Sequence, residues 1–417
     1  MSNKILIISY YWPPSGGSGV QRWVNFSNKL SLSGCEVTVI TAQNPNYPLL
    51  DNKLDSIINK SVKVIKIPIF DPTALIKRKN SDNISVNNNI FSKILLWIRA
   101  NLFFPDSRMF WIKKVSKQAT DYIKKNNVKC LITSAPPFST HIIGQNVKNN
   151  TNVRWISDFR DPWSDFFQFK LLPLKSFMKK KHFKAELNTL KLSDAVITTS
   201  PSLTKKYSLI NENSFTVFNG FNSFVKTKSS KKFTLMYSGI MKTIQNPKIF
   251  WLVLNDICKT NKSFFNDLCV RFIGDFDNEI INHLKDSSIE SKVTFEKYLE
   301  KENLDKEMSA ANVLILCTVN LNTVKNIIPG KLYYYFSLNR PIIAFSNLDS
   351  DLNEIITKTN SGKVFDYLNE IDLKNHILEL YSEYKSGENN YNPKNTGNYT
   401  YDTLSKKLNE IINKTID

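Results

Sequence analysis

Cysteine and glycine are scarce in this chain of 417 residues, acidic residues are outnumbered, and long apolar runs are missing. The five cysteines (Cys35, Cys130, Cys258, Cys269, Cys317) show neither paired nor metal-ligand spacing, and three lie in or beside apolar runs. That excludes a disulfide scaffold and a cysteine zinc site, and fits small core residues of a reduced, cytosolic protein. No segment approaches the ~18 apolar residues of a membrane-spanning helix. The nearest, Ile94 to Phe104, is interrupted by Arg99 and Asn101. Met1-Ser2-Asn3-Lys4 passes directly into an apolar strand, so no secretory signal is expected. With 56 Lys and Arg against 37 Asp and Glu, the net charge is +19. Such a charge suits a polyanionic neighbour: nucleic acid, an anionic membrane face or a phosphorylated substrate. No recognition motif or paired aromatic platform for nucleic acid stands out, so no nucleic-acid partner is expected and the other two lead. Abundant Asn and Lys also fit a compositional bias alone.

What is present is a hydrophobic share of 41%, that of a globular protein. The length fits two domains of roughly 150–200 residues rather than one core. Apolar strands alternate with helical spacing throughout. Lys4–Ser9, Glu36–Thr41, Val62–Ile67, Lys129–Thr133, Val153–Ser157 and Ala195–Ser200 read as strands of a first sheet, which the last of them closes. Phe215 to Phe221 reads as a short strand ending in a turn, and Lys226 to Lys232 as a polar linker. A second series follows in Phe233–Gly239, Val270–Asp275, Val293–Phe295, Val313–Cys317 and Pro341–Phe345. Strand–helix alternation predicts an α/β chain of two parallel-sheet domains, 1–205 and 225–395. The stripe Leu404, Leu408, Ile411, Ile412 predicts a terminal helix over 400–417, docking back on the first domain.

In open parallel sheets ligands bind at the carboxyl ends of the strands, and the candidate residues fall there. After Val313–Cys317 comes Asn326-Ile327-Ile328-Pro329-Gly330-Lys331, opening a helix that continues through Tyr334. Pro329 suits a first turn, Gly330 allows close approach to the backbone, and Lys331 adds charge to free helix amides. The stretch fits a phosphate or diphosphate site, or an ordinary helix start with a solvated lysine. Gly239 and Gly274 each read as the end of a strand on the same edge, with Lys242 in the following loop. In the first domain Gly16, Gly17 and Gly19 precede a helix, as a tight turn or as backbone held against a ligand. Asp158, Arg160 and Asp161 leave the fifth strand as a cluster that is either a structural salt link or the edge of an active site. His141, at the start of a helix, faces a cleft or serves as a cap or surface group. Two basic, aromatic stretches, Phe91 to Lys114 and Leu171 to Lys184, suit contact with lipid headgroups or solvated helix faces. Leu75 to Asn89 reads as an irregular surface excursion.

These segments together resemble the family-4 glycosyltransferases of bacterial surface-polysaccharide assembly. The resemblance is carried by Tyr11-Trp12-Pro13-Pro14 with the glycine loop, Pro105-Asp106 with Trp111, and Ser134 to His141. Asp158-Phe159-Arg160-Asp161-Pro162-Trp163, Asn219-Gly220-Phe221, Tyr237-Ser238-Gly239, Pro329-Gly330-Lys331-Leu332 and Arg340-Pro341-Ile342-Ile343 continue it. It implies the GT-B architecture, two facing Rossmann-like domains with a cleft between them. It further implies retaining transfer from a nucleoside-diphosphate sugar to a saccharide, lipid-linked acceptor, in capsule, O-antigen or exopolysaccharide synthesis. No metal or other cofactor is then expected, because basic side chains and helix amides neutralise the leaving diphosphate. The second domain would hold the donor through Gly239, Lys242, Gly274, Asn326, Pro329, Gly330, Lys331 and Tyr334. The first would carry Asp158, Arg160 and Asp161 as catalytic groups, with Gly16, Gly17, Gly19 and His141 at the acceptor and diphosphate. An enzyme of this kind is expected in the cytoplasm, peripheral at the inner face of the plasma membrane. One departure stands out: similar enzymes carry two glutamates where this chain has Asn326 and Tyr334. A sugar-nucleotide epimerase of the same fold and a non-catalytic subunit of an assembly complex are the alternatives.

Overall fold

The computed structural model describes residues 3–43, 45, 47, 50–51, 53–70, 90–165, 169, 172–228, 230–285, 287–321, 325–388 and 390–417. The excursion expected over Leu75 to Asn89 lies outside them, as do Leu171 and the side chain of Phe91. The chain divides into two compact units, Met1–Asn219 with Tyr401–Asp417, and Gly220–Thr400.

Unit 1 is built on strands β1 (Lys4–Ser9), β2 (Glu36–Gln43), β3 (Lys63–Pro68), β4 (Cys130–Ala135), β5 (Arg154–Phe159), β6 (Ala195–Thr198) and β7 (Ser214–Thr216). They form one sheet in the order β3-β2-β1-β4-β5-β6-β7, parallel throughout. The sheet therefore closes on β7, one strand beyond the end expected at Ala195–Ser200. The short strand expected at Phe215 to Phe221 is this one, and its three residues join the first sheet. All six residues of β4 are buried, as are five of six in β1, because helices cover both faces of the central strands. Chain order reverses between β1 and β4, which makes the carboxyl ends of those two strands the natural ligand crevice.

Helix Tyr401–Ile416 completes unit 1: Tyr401, Leu404, Leu408, Ile411 and Ile412 share a core with Trp23, Phe26 and Leu30. Asn3 Nδ2 donates to Asn413 Oδ1 at 2.9 Å, and Lys29 pairs with Asp402 at 2.6 Å.

Unit 2 comprises β8 (Phe233–Met241), β9 (Leu268–Phe276), β10 (Val293–Glu296), β11 (Val313–Cys317), β12 (Ile342–Phe345) and β13 (Gly362–Phe365). Its sheet is again parallel, ordered β10-β9-β8-β11-β12-β13, with the reversal between β8 and β11. Gly239 and Gly274, expected as strand ends, are instead internal. Both strands run on past them, and the two glycines pair side by side in the register. Each has a positive φ (120° and 145°), and a Cβ on Gly274 would lie 2.2 Å from the Gly239 carbonyl oxygen. Only glycine accommodates that approach.

Candidate functional site

The second sheet's switch point holds the charge that the sequence placed there. Helix Lys331–Leu338 follows β11, and Tyr335 locks it down: its hydroxyl donates to Ile315 O at 3.0 Å and accepts from Ser238 N at 3.2 Å. Pro329 precedes the helix and its carbonyl accepts from Leu332 N at 3.0 Å, while Gly330 is the N-cap with ordinary helical backbone. The Lys331 side chain turns inward over β8. Its Nζ donates to the Tyr237 hydroxyl at 2.5 Å and sits 3.8 Å from that ring's centre. The hydroxyl in turn donates to Ile240 O at 2.7 Å. A Cβ on Gly239 would come within 3.1 Å of Lys331 Nζ, so the glycine leaves the ammonium its place. Burial holds the Lys331 pKa down to about 8, with the Cys317 thiol beside it. Desolvation without a carboxylate partner is what depresses a lysine in this way. A diphosphate at this crevice would supply the missing counter-charge.

The remaining candidates of unit 2 divide. Lys242 is taken up by carboxylates, Asp277 at 3.3 Å and Asp275 at 3.7 Å, so it is a neutralised edge of the crevice. Asn326 is half-buried ahead of the helix. Tyr334 is half-buried, whereas Tyr333, Tyr335 and Phe336 around it belong to the core. Its ring lies 5.3 Å from Lys301 Nζ, and burial together with the Asp305 carboxylate pushes its pKa up.

In unit 1 the Asp158-Arg160-Asp161 cluster separates into three roles. Asp158 is fully buried and paired with Arg22 at 2.9 Å, an ion pair without solvent on either side. Its carboxylate also accepts from Trp23 Nε1 at 2.7 Å and Ser134 Oγ at 2.8 Å. Four donor atoms from the first helix and β4 thus enclose Asp158, the geometry of the structural salt link that the sequence left open beside the catalytic role. Arg160 makes no hydrogen bond to either aspartate. Its Nε donates to Ala135 O at 3.3 Å and its Nη2 to Pro136 O. The guanidinium lies against Gly19, where any Cβ would overlap Nη1 at 1.4 Å. Gly17, with φ 103°, caps the same helix, Ser18–Leu32, and Gly16 is half-buried just ahead of it. The loop therefore brings helix amides and a guanidinium together at the carboxyl edge. Asp161 is half-buried and its carboxylate accepts no hydrogen bond among the described residues. Burial raises its pKa against the pull of Arg160.

His141 is completely buried rather than a surface group, 4.3 Å from the Phe159 ring centre. Trp155 Nε1 donates to Thr133 Oγ1, and that hydroxyl meets His141 Nδ1, both at 2.9 Å. The other ring nitrogen, Nε2, finds no hydrogen-bond partner among the described residues. Burial, and then the Arg160 charge, holds its pKa down to about 3, so the ring is neutral at physiological pH.

Sequence reasoning passed over Arg22, Glu186 and Asp305, and gave Tyr237 a place in a motif but no role of its own. Arg22 and Glu186 are ionised types that ordinarily stay in solvent, and no pattern marks them as buried. A cavity of about 690 Å³ in unit 1 lies among Arg154, Lys191, Asp194, Asn213 and Lys414. These residues flank the amino ends of β5 to β7, the edge opposite the candidate site. Among the described residues no group of three or more His, Cys, Asp or Glu side chains is arranged to hold a metal ion.

No protein-family model and no curated protein sequence matches the chain. Solved structures do resemble it. The lipopolysaccharide outer core galactosyltransferase WaaB, in its apo form, aligns with TM-score 0.61 at 11% identity over 99% of each chain. Anabaena Alr3699/HepE, in complex with UDP-glucose, aligns with TM-score 0.58 at 10% identity, over 99% of this chain and 98% of that one. A putative UDP-N-acetylglucosamine 2-epimerase from Listeria monocytogenes aligns with TM-score 0.55 at 9% identity, over 100% and 97%. Identities this low speak of fold alone, and the fold is that of the GT-B proteins: two Rossmann-like units, each on its own parallel sheet.

Proposed function

We propose that this chain is a nucleotide-sugar-dependent glycosyltransferase of the family-4 type. It would transfer a sugar with retention from a nucleoside diphosphate to a saccharide acceptor in surface-polysaccharide synthesis. The observation that carries this reading is the Lys331 ammonium, held at the switch point of the second sheet with no carboxylate among the described residues to neutralise it. A diphosphate there gains charge as its bond to the sugar breaks, and a preorganised cation stabilises the departing group. In unit 1, Arg160 and the amides of the glycine loop present a second positive edge, and Asp161 an acceptor for a sugar or acceptor hydroxyl. Structures of like fold named as binding UDP-glucose and as a galactosyltransferase support the same class. Neither metal nor other cofactor is part of the proposal, since lysine, arginine and amides take that role. The discriminating measurement is a thermal-shift panel of UDP-, GDP-, ADP- and dTDP-sugars, because a ligand of the folded state raises its melting temperature. No shift with any member would end the reading.

The likeness to the Listeria protein favours sugar-nucleotide epimerisation as the second reading. Incubation with the bound sugar nucleotide alone separates the two, since an epimerase converts it without acceptor.

The acceptor is proposed to be lipid-linked, with the enzyme peripheral at the inner face of the plasma membrane. On helix Ser176–Leu192, Phe177 (61%) and Phe183 (59%) are exposed beside exposed Lys179, Lys180 and Lys184. Asn101 joins this helix to the exposed Leu102, donating to Pro173 O at 2.9 Å and accepting from Lys175 N at 2.8 Å. Apolar side chains ringed by lysines suit an anionic lipid surface. No helix among the described residues is long and apolar enough to cross a membrane.

A further inference from the structure

Glu186 is 4% exposed and lies on helix Ser176–Leu192, away from every motif considered above. Its carboxylate accepts from the backbone amides of Trp163 (3.3 Å) and Ser164 (3.1 Å), from the Ser164 hydroxyl, and from the Tyr207 hydroxyl at 2.5 Å. Trp163 and Ser164 belong to the loop that carries Asp161 out of β5. The same loop is held on its other side, where Arg160 N donates to Ala135 O at 3.0 Å and Thr199 Oγ1 donates to Arg160 O at 2.7 Å. Trp163 is fixed as well, its ring stacked on Phe138 at 4.6 Å and its Nε1 donating to His182 Nδ1 at 3.1 Å. The polar groups named on either side of Asp161 are thus committed, while its own carboxylate accepts no hydrogen bond among the described residues. A buried carboxylate is costly unless fully hydrogen-bonded, and here all its donors but one come from that single loop.

We infer that Glu186 is a positioning residue, holding the loop so that Asp161 presents its carboxylate at the carboxyl edge of β5. This rests on the reading of Asp161 as a site residue. Glutamine at 186 keeps the shape but offers one acceptor oxygen in place of two, so the loop amides lose half of their anchor. The test uses the full chain as Glu186→Gln, Asp161→Asn and the double variant, following amide exchange over 159–165 and release of UDP from UDP-glucose. The expected result for Glu186→Gln is at least tenfold faster exchange confined to that loop. Turnover should fall about tenfold with KM for UDP-glucose little changed. In the Asp161→Asn background, the added Glu186→Gln should cost nothing further, since a residue acting through another is non-additive with it. Undiminished protection of the loop in Glu186→Gln, or additive rate losses, overturns the inference while leaving Asp161 in the site. If Asp161→Asn itself turns over normally, the reading of the site falls and the inference with it. If UDP-glucose is not consumed at all, the exchange arm alone decides. Should Glu186→Gln fail to fold, Ser164→Ala removes one bond to the same carboxylate and must loosen the same loop, or the inference is lost.

Discussion

Lys331 is where a single side chain decides the most. With its folded pKa held down to about 8 and its unfolded value near 10.5, the folded state binds fewer protons between those limits. Stability from this group therefore rises with pH through that window, and below pH 8 the charged form carries a desolvation cost. A nucleoside diphosphate reverses the balance by favouring the ammonium. Binding of UDP above pH 8 should then take up a proton, and affinity should fall as pH rises beyond 8. Calorimetry at pH 8.5 in buffers of different ionisation enthalpy measures that uptake directly. Lys331→Met should abolish it and lower turnover by about two orders of magnitude or more, as loss of a preorganised charge does. Proton uptake identical in the variant would remove Lys331 from the ligand. Tyr334 poses the opposite case, a missing charge. A glutamate there could bind a ribose diol by charge-assisted bonds worth about 1.5–3 kcal/mol, roughly ten- to a hundredfold in affinity. The structure adds a condition, because Asp305 already faces that position. Tyr334→Glu alone should gain little UDP affinity, and Tyr334→Glu with Asp305→Asn should show the gain. Equal affinity in both variants would place the ribose elsewhere.

At the level of elements, the strands were the most legible part, because buried parallel strands are continuous apolar runs. Lys4–Ser9 and Val313–Cys317 stand in the structure as they read in the sequence. Legibility failed where tertiary pairing decides. Gly239 and Gly274 read as strand ends, yet the ladder carries both strands through them. The Asp158 cluster read as two open alternatives, since no local pattern shows that Arg22, 136 positions away, encloses Asp158. Helix Ser176–Leu192 was legible as basic and amphipathic, but not as the carrier of Glu186 and His182 on its inner face. The outward lysines of that helix give a measurable expectation. Each contributes ~1 kcal/mol near an anionic surface, so replacing Lys179, Lys180 and Lys184 by Gln should cost about 3 kcal/mol, roughly a hundredfold in vesicle affinity. Lys181 is left in place because its Nζ stacks over Phe104 at 4.2 Å. Sedimentation with phosphatidylserine vesicles at low and high salt reads the effect, and no binding at low salt would refute the docking. Since the same helix holds the Asp161 loop, bound vesicles should also slow amide exchange at Trp163 and Ser164.

For the whole molecule, the consequence of the chain's path is that the first unit is finished by its last residues. The chain leaves unit 1 at Asn219, builds unit 2, and returns at Tyr401. Where it leaves and returns, the two ends of unit 2 meet: Phe221 N donates to Tyr399 O at 3.1 Å. Five side chains of the terminal helix (Tyr401, Leu404, Leu408, Ile411, Ile412) are buried in the core of unit 1. At about 1.5–3 kcal/mol each, an upper bound for burial, their sum rivals the roughly 5–15 kcal/mol that stabilise a whole domain. A chain ending at Thr400 should therefore lose the cooperative unfolding of unit 1, since Trp23, Phe26 and Leu30 would face water. Unit 2 keeps every strand of its sheet and should still unfold as a unit. Scanning calorimetry of the shortened chain should show one transition where the full chain shows the contribution of both units. UDP should still raise the surviving transition, because Lys331, Tyr237 and Gly239 all lie in unit 2. Retention of both transitions within about 2 °C would mean that the helix merely covers unit 1. A surviving transition indifferent to UDP would mean that unit 2 does not hold the nucleotide by itself.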